Sequence, residues 1–473
     1  TQTLGLSGPG TEMRGRLGTD PDFEGLGFIM DLSFIKDELY GASHADTYYG
    51  GFYFDIYEGG LSYSGKYASA RAGRFFHKDA LDSPYSLFVS SQELSAFLYE
   101  INLRTKFFSA DTRAVELNRN SDHGYPDRSA YYKRFALHFG ALELGYQDAI
   151  VAADPLPVGG VRPPAGDGSG PLFIPEYFFS PVPSLPLQFV LGSGERPWLM
   201  NYNHNGIMGL YTAYRQDGWE VQAQWLVDDM NWNRFLAPDD FQNPDKMAWM
   251  IGGRMETPLG SFGLWHAGAL RYTFQAFGGG TGEGATDLMY SYTYYPETRF
   301  PRGDSMQAIP NRKNYFGLYL GENSAGFRLD WENQYSLPIE GSDDLAVNAS
   351  LEFTLTGSQS PANPWGEYTT WFQHEQQGTR YLDDELLEKG IILTASGLWG
   401  GPPQAWGKLV GSVDIRAGVC LNALRLEAPR EVGIDSASQD SQVNQAWIWY
   451  PSQEHEAVAE ISLGLRYYFP KAK

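Results

Sequence analysis

Apolar and polar residues alternate along most of this chain, in segments of about ten residues. From Leu345 to Leu355 one side reads Leu345, Val347, Ala349, Leu351, Phe353 and Leu355, and the other Ala346, Asn348, Ser350, Glu352 and Thr354. Around Leu409 the apolar side carries Leu409, Val413, Ile415, Ala417, Val419 and Leu421, with Ser412, Asp414 and Arg416 between. Phe327, Leu329 and Trp331 alternate with Arg328, Asp330 and Glu332; Phe97, Tyr99, Ile101 and Leu103 alternate with Glu100, Asn102, Arg104 and Lys106. A period of two is that of a strand with unlike faces, and about ten residues is the span a tilted strand needs to cross a bilayer. Strands are expected near 22–36, 47–58, 61–74, 94–108, 131–139, 141–149, 205–216, 218–228, 246–256, 261–274, 313–321, 324–336, 344–357, 366–375, 391–398, 407–426, 444–450 and 456–469. The pattern predicts an all-β fold, a transmembrane antiparallel up-and-down β-barrel of about 18 strands, with 16 also allowed.

A soluble β-sandwich alternates in the same way, with its charged face in bulk water. Three features favour a barrel with lipid outside and a polar lumen inside. Tyr, Trp and Phe gather near strand ends, as aromatic girdles require. Short and long polar connections alternate, the long ones at about 150–200, 229–245, 275–312, 376–390 and 427–443 of one domain spanning 1–473. The chain closes on an alternating strand, with Ile461, Leu463, Leu465, Tyr467 and Phe469 on its apolar side and Glu460 and Arg466 on the other. That ending resembles the C-terminal signal of bacterial outer-membrane proteins, which the barrel-assembly machinery reads, although Pro470–Lys473 follow the aromatic. Short turns are expected at Glu58-Gly59-Gly60 and Gln216-Asp217-Gly218, and a short loop helix at 379–389.

Composition sharpens this picture without changing it. Gly (54), Tyr (30), Phe (28) and Trp (13) are abundant, as a turn-rich β fold wants. Mean hydropathy is −0.37, and no apolar run reaches transmembrane-helix length; barrel strands need none, since only alternate residues meet lipid. Cys420 is the single cysteine, so neither an intrachain disulfide nor a four-cysteine zinc site can form. A first residue other than Met is compatible with a cleaved signal peptide, and export to the outer membrane is expected. A net charge of −22 argues against nucleic acid as a partner. Acidic loops bridged to lipopolysaccharide by divalent ions would account for it, as would an acidic lumen.

Enzyme signatures are missing: the chain has no H-E-x-x-H, G-x-S-x-G or G-x-x-x-x-G-K-[ST], and no catalytic activity or resident cofactor is expected. The run Gly278–Gly284 lacks the lysine of a phosphate loop and reads as a loop tip. Asp228-Asp229, Asp239-Asp240, Asp343-Asp344 and Asp383-Asp384-Glu385 offer oxygen ligands for calcium, but none has calcium-loop spacing. Arg302-Gly303-Asp304 is short enough to arise by chance. Trp365, Trp371, Trp399, Trp406, Trp447 and Trp449 suit either an interface belt or sugar stacking. The expected lumen residues are Arg104, Lys106, Arg328, Asp330, Glu332, Glu352, Asp414, Arg416, Glu460 and Arg466. Mixed charges there either pair and obstruct the lumen or set a transverse field that screens solutes.

The middle of the chain goes further. ALHFGALELGYQDAI (136–150), FIPEYFFSPVPSLP (173–186), NHNGIMGLYTAYR (203–215) and WEVQAQWLVDDM (219–230) resemble the capsule-assembly Wzi-type barrels. In that family a strand leads into an aromatic–proline segment, followed by strands ending in Tyr-Arg and Asp-Asp. SPYSLFVSS (83–91) is similar to an earlier strand of the family. The resemblance implies an 18-stranded outer-membrane barrel that binds surface polysaccharide. The alternative is a porin passing small solutes. A third reading, a secreted glycan-binding or glycan-cleaving protein, would use Glu352, Glu460 and Asp330 as carboxylates.

Overall fold

The computed structural model describes residues 3–6, 11–19, 24–36, 53–92, 95–118, 127–153, 173–191, 204–230, 233–236, 244–275, 291–294, 299–302, 305–308, 311–360, 379–404, 407–427 and 448–468. The strands of the first half are β1 (Thr3–Leu6), β2 (Thr11–Gly18), β3 (Gly25–Lys36), β4 (Tyr53–Ser64), β5 (Ala68–Phe76), β6 (Ser95–Arg104), β7 (Phe108–Asn118), β8 (Arg128–Phe139), β9 (Leu142–Ala153), β10 (Asn205–Gln216) and β11 (Trp219–Asp229). The second half holds β12 (Lys246–Thr257), β13 (Gly260–Ala269), β14 (Arg299–Arg302), β15 (Ser305–Ala308), β16 (Ser324–Tyr335), β17 (Leu345–Thr356), β18 (Glu388–Gly400), β19 (Lys408–Leu421), β20 (Leu424–Glu427), β21 (Ile448–Pro451) and β22 (His455–Tyr468). Eighteen of these form one antiparallel sheet in which neighbours follow chain order, with β13 passing to β16 and β19 to β22. Strand β1 pairs with both β2 and β22 and closes the ring. The remaining four make two hairpins, β14–β15 and β20–β21. Closure satisfies backbone groups that an open sheet would leave at its edges, a requirement inside a bilayer.

Alternation becomes inside and outside. On β16 and β17, Phe327 pairs with Phe353 and Leu329 with Leu351 on the outer wall, where Phe327, Leu329 and Phe353 are exposed and Leu351 is half-buried. Their neighbours Asp330 and Glu352 face inward and are buried. Leu264, Ile461 and Leu463 extend the apolar outer surface. Leu264→Arg should therefore cost about 2–4 kcal/mol in lipid vesicles, the penalty for a cation near mid-bilayer. Urea titration of vesicle-inserted protein reads this, and an unchanged midpoint would remove Leu264 from the lipid face.

Eighteen wall strands were expected, but their membership shifts. Glu58-Gly59-Gly60 is not a turn; it lies within β4, and the turn falls at Gly65–Tyr67, where the Gly65 amide donates to the Ala68 carbonyl. These glycines serve a close strand crossing instead: a Cβ on Gly60 would lie 2.4 Å from the Ala72 oxygen, and one on Gly73 2.3 Å from the Gly59 oxygen. Strands β1, β2 and β7 were not expected, because Gly5, Gly15, Ala110, Thr112 and Ala114 give little contrast between faces. Conversely, 313–321 is not a wall strand, nor is 83–91, which the family resemblance likened to one; of segment 444–450 the described residues 448–450 belong to the β20–β21 hairpin, and 366–375 lies outside the described residues. Segment 379–387 is a chain of bends rather than a helix: Leu382 has φ of 50° and its amide donates to the Asn323 side chain.

Candidate functional site: the lumen and its plug

Charged residues line the inner wall in pairs. Arg14 grips Asp31 through two contacts of 2.7 Å. Arg71 and Arg113 converge on Glu100 at 2.9 and 2.6 Å, and Arg134 reaches Asp111 at 2.5 Å. Arg215 lies between Glu143 and Glu220, Arg254 meets Glu332, and Arg328 meets Asp330 at 2.6 Å. Most of these pairs come from the same or neighbouring strands, as cross-strand register allows, and Arg254 of β12 reaches over β13 to Glu332 of β16. Guanidinium–carboxylate forks suit such a site because they satisfy several donors at once.

The upper lumen is not polar, contrary to the sequence expectation. Residues 77–92, which join β5 to β6, and residues 270–275, 291–294 and 311–323, which belong to the β13–β16 connection, pack there as a hydrophobic core. Tyr85, Leu87, Phe88, Tyr292, Phe316, Leu318 and Leu320 are sealed against inward wall residues including Leu98, Val115, Leu226, Met250 and Trp265. Polar contacts fix this plug in register. The Asp79 carboxylate accepts from the Phe88 amide (2.9 Å), the Gln147 side chain (2.5 Å), the Gln224 side chain (3.0 Å) and the Tyr132 hydroxyl (3.3 Å). Glu352 accepts from the Tyr85 hydroxyl at 2.9 Å and from that of Tyr319. Buried Arg128 donates to the carbonyls of Ser291, Thr293 and Tyr294. Burial, with Arg113 and Arg71 nearby, holds the His77 imidazole well below its usual range, so it sits neutral beside the Tyr294 hydroxyl.

Glu322 joins three parts of these connections. Its carboxyl accepts from the Tyr272 amide, from the Gln275 side chain and, at 2.8 Å, from the Ser360 amide. Burial outweighs those donors and pushes the carboxyl up to about 8, from an ordinary 4.5. The folded chain thus holds a proton that the unfolded chain releases. This contribution to stability is full below the ordinary value and is lost as pH rises through about 8. Amide exchange at Tyr272 and Ser360, corrected for intrinsic rates, should show weaker protection at pH 9 than at pH 6; equal protection would refute the role of Glu322.

Below the plug lies a polar cavity of about 940 Å³, open to the named wall residues Arg328, Asp330, Glu332, Asp414, Arg416 and Glu460. Glu352 stands above it, under the plug. Arg104 is exposed at the end of β6. Lys106 is not on the wall: β6 ends at Arg104, the Thr105 amide donates to the Phe108 carbonyl, and Lys106 sits in that turn over the Phe107 ring. Arg466 belongs to β22 and pairs in register with Val410, but its side chain lies outside the described residues, as does Phe469. The three carboxylates considered for glycan cleavage each have other partners: Glu352 two tyrosines, Asp330 Arg328, and Glu460 Arg416 at 3.8 Å. Of the acidic pairs, Asp228 binds Lys246 and the Phe274 amide, Asp383 binds Arg380, Asp384 accepts from Ser358 and Asn323, and Asp343 meets Lys408. Among the described residues no three metal-ligating side chains cluster. Gly278–Gly284, Gly303, Asp304, Asp239, Asp240, Trp365, Trp371, Trp406 and Trp447 lie outside them.

The aromatic–proline segment has a place of its own, on the outer wall. Helix Pro175–Phe179 packs Tyr177 and Phe178 against Tyr131 and Ile150. Beneath the following turn and helix Ser184–Leu191, Lys133 donates to the carbonyls of Ser180 and Val182, and Asp148 accepts from the Ser184 amide. The segment covers polar side chains on what would otherwise be a lipid-facing stretch of β8 and β9.

The chain matches no protein-family model and no curated protein sequence. Among solved structures it is similar to Wzi of Escherichia coli, an outer-membrane protein involved in group 1 capsule assembly and a carbohydrate-binding β-barrel. The TM-score is 0.51 at 9% identity, over 99% of this chain and 83% of that one. The chain is a β-barrel of the outer-membrane type. OccD3 of Pseudomonas aeruginosa (TM-score 0.41, 10% identity, 100% and 91% of the chains) and an anion-selective porin from Comamonas acidovorans (0.34, 10%, 99% and 99%) are also similar. In this class of barrel the short turns face the periplasm and the long connections the exterior. The plug of this barrel is thus built from exterior connections, and the 940 Å³ cavity lies on the periplasmic side.

Proposed function

We propose that this barrel associates with surface polysaccharide and binds it on the face formed by its long connections, rather than serving as a wide solute pore. The observation that carries this reading is the plug: exterior connections are committed to a packed core held by Asp79, Glu352 and Arg128. A wide pore would need that space filled with water. The fold shared with Wzi, a carbohydrate-binding barrel, supports the same direction. The test is binding of the source cell's purified surface polysaccharide to the full barrel in detergent, by calorimetry. Saturable binding is expected, and its absence would overturn the reading.

The reading places the barrel among outer-membrane lipid and lipopolysaccharide, with acidic loops bridged through divalent ions. The last strand would be read by the barrel-assembly machinery. Ile461, Leu463 and Leu465 stand exposed along its outer face. The double variant Tyr467→Ser/Phe469→Ser should lower the heat-modifiable, folded fraction in outer membranes severalfold; an unchanged fraction would locate the signal elsewhere.

A further inference from the structure

The plug does not treat the lumen evenly. It seals the exterior half of the inward wall from β6 to β17, where Leu98, Val115, Leu226, Met250 and Thr354 are buried, whereas the inward side of β19 and β22 stays wet towards the exterior end: the side chains of Arg416, Glu460 and Glu456 are 47%, 62% and 50% exposed. All three project into the lumen, because Arg416 pairs with Glu460 and Cys420 with Glu456 between outward Ile415, Val419 and Ile461. An inward side chain stays wet only where water occupies the lumen beside it. The wall here is also thin. Gly390, Thr394, Ser396, Ser412, Gly418, Ser462 and Gly464 share the inward side of β18, β19 and β22.

Two cavities follow this strip. The 940 Å³ space reaches Thr394, Ser396, Asp414, Glu460 and Ser462. A second, of about 260 Å³, continues towards the exterior along Gly390, Gly418 and Val458 to Leu424 and Trp449. Arg416 lines both. On the plug side the upper cavity is bounded by Gln359 and by Arg312, which is 3.3 Å from Glu388.

From this geometry we infer that a narrow polar passage runs beside the plug along β18, β19 and β22, with Arg416 at its narrow point, and that it conducts small cations. Eight carboxylates against five cationic side chains line the two cavities, so the electrostatic balance favours cations. The Arg416–Glu460 contact, at 3.8 Å and exposed, is loose enough to open without the cost of breaking a buried pair.

The test uses the full barrel in planar bilayers bathed in potassium chloride. Small, steady, cation-selective unitary steps are expected. Ser462→Trp in the lower cavity and Val458→Trp in the upper should each cut the step at least threefold, and Arg416→Gln should enlarge it and shift the reversal potential further towards cation selectivity. Heat-modifiable migration confirms that each variant is folded, and two blocking variants guard against the loss of one. No steps in the wild type, or steps indifferent to both tryptophans, would overturn the passage. Polysaccharide binding is measured on the same samples and should survive both tryptophans, so failure of the passage and failure of the binding reading give different results.

Discussion

Asp79→Ala is expected to loosen the plug, lowering stability by about 2 kcal/mol and opening the lumen to larger, noisy conductance. The carboxylate gathers five donors: the Ala80 and Phe88 amides from the plug itself, and Gln147, Gln224 and Tyr132 from the wall. Each donor left buried without an acceptor costs roughly 1–3 kcal/mol, and water from the adjoining cavity would recover part of that. Asp79→Asn keeps one acceptor oxygen and should lie between wild type and alanine. Urea unfolding in vesicles and bilayer recording read the two effects. A stable Asp79→Ala barrel with wild-type conductance would mean that apolar packing alone seats the plug.

Glu100→Ala should have the larger effect on stability, about 3–5 kcal/mol, as when one partner of a buried pair is removed. Glu100 and Arg113 are both buried, and the variant leaves Arg113 with only Asp111, at 4.0 Å, as a charged partner. Arg113 also donates to the Lys78 carbonyl and lies over the Tyr132 ring, tying the wall to the start of the plug. Glu100→Ala combined with Arg113→Met should recover part of the loss, since no cation then stays buried alone. A single-variant loss below about 1 kcal/mol would show that water enters this corner freely.

How far the sequence could be read depended on contrast between strand faces. Strands β16 and β17 were legible because Phe327, Leu329 and Trp331 face outward between Arg328, Asp330 and Glu332. The same contrast exposed Asp414, Arg416 and Glu460. Arg71 and Arg113 escaped notice because alanines stand opposite them on the outer side, at Ala70, Ala72, Ala110 and Ala114. The plug was misread for a different reason. An apolar run such as SPYSLFVSS suits a strand or any segment buried on all sides. What distinguishes it is its hydroxyls: Ser86 donates to the Ser83 carbonyl, Ser91 to the Pro84 carbonyl, and the Tyr85 amide donates to Ser83. Such local bonds replace the ladder that a wall strand would need. Cross-barrel partnerships such as Tyr85 with Glu352, 267 residues apart in sequence, have no local signal.

Cysteine labelling in lipid vesicles addresses the half-sealed lumen most directly. In a Cys420→Ser background, Leu318→Cys lies in the plug core and Glu460→Cys on the wet wall. With a small water-soluble maleimide, Glu460→Cys should label readily and Leu318→Cys at least about tenfold more slowly, through local opening alone. Equal labelling of the two would mean an open lumen and would contradict the plugged barrel.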